Sequence, residues 1–246
     1  MINNMIDQMT NGTSNPSQPG IKFLLITLAR SGTMMVANVL EKRTEVALNN
    51  LYASNPDQPH VAHALWCASQ YGKTSHKGTT MHFIDNLWIK QHSPIPVDQF
   101  WNMVAQQHDR YICLHRENLL FQYLSHQVGH KIGTYDVLQP RDTKPIPPTL
   151  NLNVKAFQEF IEGTTHLWNT ITPNFPGRLC LTYEQLCQNW GRCWTTIQDY
   201  LELPVQKNEL ITYKQENRSL RESIENYDEM FEFCTSIDHQ EWMEEV

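Results

Sequence analysis

The apolar run Phe23-Leu24-Leu25-Ile26 constrains this chain more than any other feature, because it breaks into Ala29-Arg30-Ser31-Gly32-Thr33 and then into the helical spacing of Met34 to Glu41. A short, unbroken apolar run reads as a strand covered on both faces. The small-residue turn then lies between a buried strand and a helix, with Arg30, Ser31, Gly32 and Thr33 at the helix N-terminus. There the unpaired N–H groups and the positive end of the helix dipole favour a phosphate or sulfate, and a glycine lets the backbone approach it closely. Alone, the segment fits an ordinary strand-to-helix turn equally well.

Beyond it, strands and helices alternate. Val46 to Leu48 reads as a short strand, the Asn/Pro-rich stretch Asn49 to Pro59 as a turn, and Val61 to Tyr71 as a helix. A strand over Thr80 to Lys90 leads into the loop Gln91-His92-Ser93-Pro94-Ile95-Pro96 and a helix over Val97 to Gln107. Tyr111 to Leu114 is a buried strand, Arg116 to Lys131 a helix, Val154 to Ile171 another, and Arg178 to Thr182 a strand. From Tyr183 the pattern is mostly helical, ending in a helix over Leu220 to Ser236. Gly133 to Asn151 holds Pro140, Pro145, Pro147 and Pro148 with little periodicity, and is a candidate lid or substrate loop, or an ordinary exposed one. The alternation predicts an α/β fold, a central parallel β-sheet flanked by helices on both faces, with ligands at the carboxyl ends of the strands.

Composition excludes several classes. A length of 246 residues suits one large domain, assigned here to residues 21–246 behind a flexible leader at 1–20 that is rich in Asn, Ser, Gln, Pro and Gly. A net charge of −7 argues against a general nucleic-acid binder. No apolar stretch is long enough for a membrane span and no signal peptide is recognisable, so a cytoplasmic protein is expected. The six cysteines form no CxxC pair, and His60 and His63 have no companion ligands, so neither a disulfide framework nor a metal is expected. The sequence leaves the oligomeric state undetermined.

Two further segments carry chemistry. Leu114-His115-Arg116 is a strand end passing into a helix that also bears Ser125; the guanidinium suits bidentate phosphate contact, or a pairing with Glu117 or Asp109. Lys90-Gln91-His92-Ser93-Pro94 sets a histidine beside a lysine at a strand end, where a structural histidine is also an ordinary finding. The first loop has no GxxxxGK[ST] pattern and no lysine after Gly32, which disfavours a P-loop-like kinase.

Together, in this order and separation, these segments resemble the sulfotransferases that use 3′-phosphoadenosine 5′-phosphosulfate (PAPS). That family's 5′-phosphosulfate loop, Pro-Lys/Arg-Ser-Gly-Thr-Thr, is similar to Ala29 to Met34, with Ala for Pro and Met34 for the last Thr. Its Lys-Thr-His-Leu-Pro segment resembles Lys90 to Pro94, and its Arg and Ser at the 3′-phosphate resemble Arg116 and Ser125, at a spacing of nine rather than eight. Thr182-Tyr183-Glu184 is similar to a late segment whose Tyr lies by the nucleotide, and residues 214–227 look like the tail of bacterial members. The Arg-Lys-Gly loop of animal cytosolic members is absent; Lys214, Arg218 and Arg221 are candidates to replace it.

The resemblance implies the P-loop-like sulfotransferase fold and transfer of a sulfuryl group from PAPS to a hydroxyl, less readily an amine, on a sugar, lipid or small metabolite, leaving 3′,5′-adenosine bisphosphate. It implies His92 as general base, Lys90 on the sulfuryl or bridging oxygens, and Arg30, Ser31, Gly32, Thr33, Met34, Arg116, Ser125 and Tyr183 around the nucleotide, without a metal. The alternatives are a P-loop-like kinase or other nucleotide-binding enzyme and a non-catalytic anion- or partner-binding protein of the same fold. Trp66, Tyr71, Phe83 and Trp88 are candidate walls of an acceptor cleft, and equally candidate core.

Overall fold

The computed structural model describes residues 20–43, 46–50, 76–82, 96–132, 148–206 and 219–244. Strand β1 (Lys22–Thr27) is followed by helix α1 (Thr33–Glu41), β2 (Val46–Asn50), β3 (His76–His82), α2 (Val97–Ala105) and β4 (Arg110–His115). Then come α3 (Leu119–Ile132), α4 (Val154–Ile171), β5 (Leu179–Thr182), α5 (Tyr183–Gln188) and α6 (Trp190–Tyr200). The short α7 (Leu220–Ser223) and α8 (Tyr227–Ser236) follow, and 3-10 turns occur after α4 at Thr172–Asn174 and at Gln240–Met243.

The strands form one sheet in the order β2-β3-β1-β4-β5, with every pairing parallel. β1 is central, which is why Phe23, Leu24, Leu25 and Ile26 are all fully buried. Alternate side chains feed opposite layers. Phe23 and Leu25 pack with Met35, Val36, Val39 and Leu40 of α1 and with Leu186, Trp194 and Ile197 of α5 and α6. Leu24 and Ile26 pack with Trp101 and Val104 of α2, with Ile171 at the end of α4 and with Phe175 just after the 3-10 turn that follows it. The expected parallel sheet with helices on both faces is the observed one. A third apolar cluster joins α3 and α4 to the C-terminal elements through Leu120, Tyr123, Phe157, Ile224, Met230 and Trp242.

Several boundaries differ from expectation. Of the strand expected at Thr80 to Lys90, Thr80 to His82 belong to β3, which begins earlier, at His76, and is held on both sides by backbone ladders to β1 and β2; residues 83–90 lie outside the described residues. Gly78 faces Phe23 in this pairing, and a Cβ there would stand 2.3 Å from the Phe23 ring and 2.5 Å from Leu48, so the position admits no side chain. β2 runs on through Asn49 and Asn50, which were expected in a turn, because both continue the ladder with β3. Helix α3 begins at Leu119, not Arg116, since the Asn118 carboxamide accepts from the Phe121 N–H and starts the helix there. The terminal helix is two: Ile224 leaves α7 to bridge to Leu150, and α8 restarts at Tyr227. The helix expected at Val61 to Tyr71 lies outside the described residues, as does most of the loop expected at Gly133 to Asn151.

From β1 the chain travels to the β2–β3 side of the sheet, whereas from β4 it travels to β5 on the other side. The carboxyl ends of β1 and β4, direct neighbours, therefore flank the point at which the connections diverge. In open parallel sheets that divergence leaves a crevice.

Candidate functional site

The loop after β1 has a fixed shape. Arg30 takes φ 68° and Gly32 φ 85°, both left-handed, so the turn reverses twice before α1 begins. For a non-glycine residue such a conformation costs about 1–2 kcal/mol and persists only where neighbours hold it. Here they do. The Arg30 Nε donates to Ser125 Oγ at 2.8 Å, and Gln122 Nε2 donates to Ala29 O at 2.8 Å and to Ser31 Oγ at 3.0 Å. Thr27 and Thr33, on either side of the turn, share a hydroxyl hydrogen bond of 2.9 Å. At Gly32 an added Cβ would meet Tyr183 Cδ2 at 3.0 Å, so the tyrosine ring closes on the loop backbone.

Helix α1 starts at Thr33 with Gly32 as its N-cap and no side-chain cap, so its first amides are not consumed by a capping side chain. The loop carries an arginine, two hydroxyls and these amides within a turn of backbone. That is a set of donors suited to an oxyanion.

Arg116 enters from the end of β4. Its guanidinium lies 4.3 Å from the Tyr183 ring centroid and 5.6 Å from that of Phe121, sandwiched rather than extended into solvent. Its NH1 reaches Arg30 O at 3.5 Å, which brings the second arginine to the first loop. Neither Glu117 nor Asp109 is its acidic partner: Asp109 accepts from the Lys22 N–H, and Glu184 approaches the Arg116 Nε at 3.8 Å. The Glu184 carboxylate is shared, because it also accepts from the backbone N–H of Glu117 at 3.0 Å and of Asn118 at 3.3 Å. The Arg116 Nε is buried with no hydrogen-bond partner.

Charge is therefore crowded here. Burial lowers the Arg116 pKa, and the charge of Arg30 pushes the same way against Tyr183 and Glu184. Burial likewise lowers that of His126, with His130 and Arg30 adding to the effect. The Tyr183 hydroxyl is pushed up to about 12, chiefly by burial, and stays neutral. The two neighbouring guanidiniums favour a bound anion, and the Arg116 Nε, which makes no hydrogen bond, has donor capacity for a phosphate oxygen.

Arg30, Ser31, Gly32, Thr33, Arg116, Ser125 and Tyr183 are thus gathered from the loop after β1, the start of α1, the end of β4, α3 and α5 at one end of the sheet, and Met34 follows Thr33 in the first turn of α1. Lys90 and His92 lie outside the described residues, as do Lys214, Arg218, Trp66, Tyr71, Phe83 and Trp88. Arg221 is exposed, pairing with Asp228 at 3.6 Å and lying over the Tyr227 ring at 4.3 Å. Sequence reasoning missed Gln122, Glu184 and Asn118. The capping box at Thr182, whose hydroxyl accepts from the Gln185 N–H while the Gln185 side chain accepts from the Thr182 N–H, sets the direction in which Tyr183 and Glu184 leave β5.

Among the described residues no three His, Cys, Asp or Glu side chains cluster to hold a metal ion, and no helix is long and apolar enough to cross a membrane. No family model matches the chain, and no curated protein does. Among solved structures the chain is similar to the mouse sulfotransferase SULT7A1 complexed with PAP, at 14% identity and a TM-score of 0.45, over 76% of this chain and 60% of that one. The chain thus spans less than two thirds of the mouse protein. It is also similar to a sulfotransferase from Alicyclobacillus acidocaldarius, at 8% identity and a TM-score of 0.47, over 92% of this chain and 95% of that one.

Proposed function

We propose that this protein transfers the sulfuryl group of PAPS to a hydroxyl acceptor on a sugar, lipid or small metabolite, releasing 3′,5′-adenosine bisphosphate, in the cytoplasm. The observation that carries the reading is that Arg116 and Ser125 both reach Arg30 of the β1 loop, with the Arg116 Nε making no hydrogen bond there. The β1 loop and the start of α1 bind the 5′-phosphosulfate through backbone amides, Ser31 and Thr33. Arg116 and Ser125 bind the 3′-phosphate, and Tyr183 packs beside the nucleotide.

Catalysis in this reading is positioning and charge stabilisation. Donors fixed before reaction neutralise charge on the sulfuryl and leaving oxygens without reorganising. By the sequence resemblance His92 takes the acceptor proton, as a neutral imidazole is able to do, and Lys90 holds the sulfuryl or bridging oxygen.

Binding of two ligands that differ by one phosphate tests the reading. Arg116→Ala weakens adenosine 3′,5′-bisphosphate far more than adenosine 5′-phosphate, and labelled PAPS with an acceptor panel gives sulfated product. Equal losses for the two ligands remove Arg116 from the 3′-phosphate. Preferential stabilisation by ATP–Mg²⁺ in a thermal shift indicates a kinase-like site, and bisphosphate binding without turnover indicates a binding protein.

A further inference from the structure

The face of the sheet opposite α1 carries a pair of thiols outside the nucleotide site. Cys113 of β4 and Cys180 of β5 are register partners in parallel strands. Neighbouring strands lie about 4.8 Å apart and register partners point to the same face, which places the two Cα atoms within the span a disulfide bridges. Their exposures are opposite: Cys113 is 1% exposed, whereas Cys180, on the strand at the end of the sheet order, is open to solvent. The positive charge of Arg178 lies near the Cys180 sulfur.

We propose that Cys180 is a site of thiol modification by small-molecule disulfides and that Cys113 is its resolving partner. The Cys180 thiolate attacks one sulfur of a disulfide of the glutathione class, forming a mixed disulfide and expelling one thiolate. Cys113 then gives up its proton and attacks the Cys180 sulfur, expelling the second thiolate and closing a β4–β5 disulfide. The protein loses two electrons and two protons, and the small disulfide is reduced to two thiols.

The surroundings suit both roles. The neighbouring Cys113 thiol, ahead of the charges of Arg178 and His115, draws the Cys180 thiol below its ordinary value despite the opposing effect of burial. The same interaction and burial push the Cys113 thiol up, so it remains protonated until its neighbour is capped. A thiolate at the surface beside a cation is the reactive kind, and a buried thiol within reach is a resolving one. The crosslink would lie three residues before Arg116 on one strand and three before Tyr183 on the other.

The experiment is peptide mapping of the full-length protein after a brief exposure to oxidised glutathione near neutral pH. The expected map has glutathionyl-Cys180 early and a Cys113–Cys180 disulfide later, with Cys187 modified several-fold more slowly. In Cys113→Ser the adduct on Cys180 persists, and in Cys180→Ser neither species forms. A wild-type protein that keeps the glutathionyl group on Cys180, or that is modified at Cys187 as fast, overturns the proposal. The wild-type map suffices if the Cys113 variant does not fold.

Discussion

The Nε of Arg30 is bound by the hydroxyl of Ser125 at 2.8 Å, a contact between residues 95 positions apart. It ties the end of the central strand to the second turn of α3 and holds a side chain whose own backbone is in a left-handed conformation. Ser125 is in this sense part of the loop it never touches in sequence.

Removing that hydroxyl loosens Arg30. Ser125→Ala is expected to weaken adenosine 3′,5′-bisphosphate by about tenfold, or ~1.4 kcal/mol, the scale of one hydrogen bond to a charged group. Titration calorimetry on the variant and on Ser125→Thr checks this, the threonine retaining most of the affinity. An affinity unmoved by the alanine would detach Ser125 from the ligand.

Gln122 clamps the same loop from below, and it is buried. Gln122→Leu leaves Ala29 O without that donor inside the protein, a loss expected to cost about 1–3 kcal/mol of stability. Urea unfolding gives the figure directly. A midpoint within error of wild type would mean that the loop holds its shape without the carboxamide.

For the chemical step, His92→Ala is expected to lower turnover with PAPS by about 10²–10⁴-fold, the range for a general base. Bisphosphate binding, read by calorimetry, should survive. Near-normal turnover would disqualify His92 as the base.

Acid stability follows from His108. Its Nδ1–H donates to Val104 O at 2.8 Å, while its Nε2 is buried with no partner, and burial lowers its pKa below 6.5. The folded state therefore binds this proton less readily than the unfolded chain does. The stability contributed is complete above pH 6.5 and is lost as pH falls below it toward the folded-state value. Burial lowers the His126 pKa as well, so it acts in the same direction. Thermal melts between about pH 7.5 and 5.5 should show Tm falling on acidification, with a shallower slope in His108→Gln. Equal slopes in the two proteins would move the effect to other groups.

What sequence made legible followed apolar patterning. β1, β4 and β5 stood out because Phe23 to Ile26, Tyr111 to Leu114 and Leu179 to Leu181 are apolar, and α4 because Phe157, Phe160, Ile161, Leu167 and Trp168 repeat at helical spacing. β3 begins before the expected strand because His-Lys-Gly-Thr has no such run; its place between two ladders is a tertiary fact. Arg30, Arg116 and Tyr183 were singled out as candidate ligands, and they meet because each follows a strand of one parallel sheet. Gln122 left a fainter signal, a polar residue three before Ser125 in an otherwise apolar part of α3. Asn118 was a readable N-cap that would have moved the start of α3 to its observed place. Nothing in the sequence pointed to Glu184 as the partner of Arg116, since the pairing depends on how β4 and β5 align.

The central position of β1 also has a consequence for biosynthesis. Both of its ladder partners, β3 and β4, are translated after it, and the clamp on its loop arrives only with Gln122 and Ser125. A ribosome-bound chain therefore carries Phe23 to Ile26 without either neighbouring strand until residues 76–82 emerge, and without the loop's supports until α3 does. Such late, non-local pairing is slow and leaves an apolar segment open to other chains. The loop after β1, early in the sequence, acquires its shape only once α3 has been made.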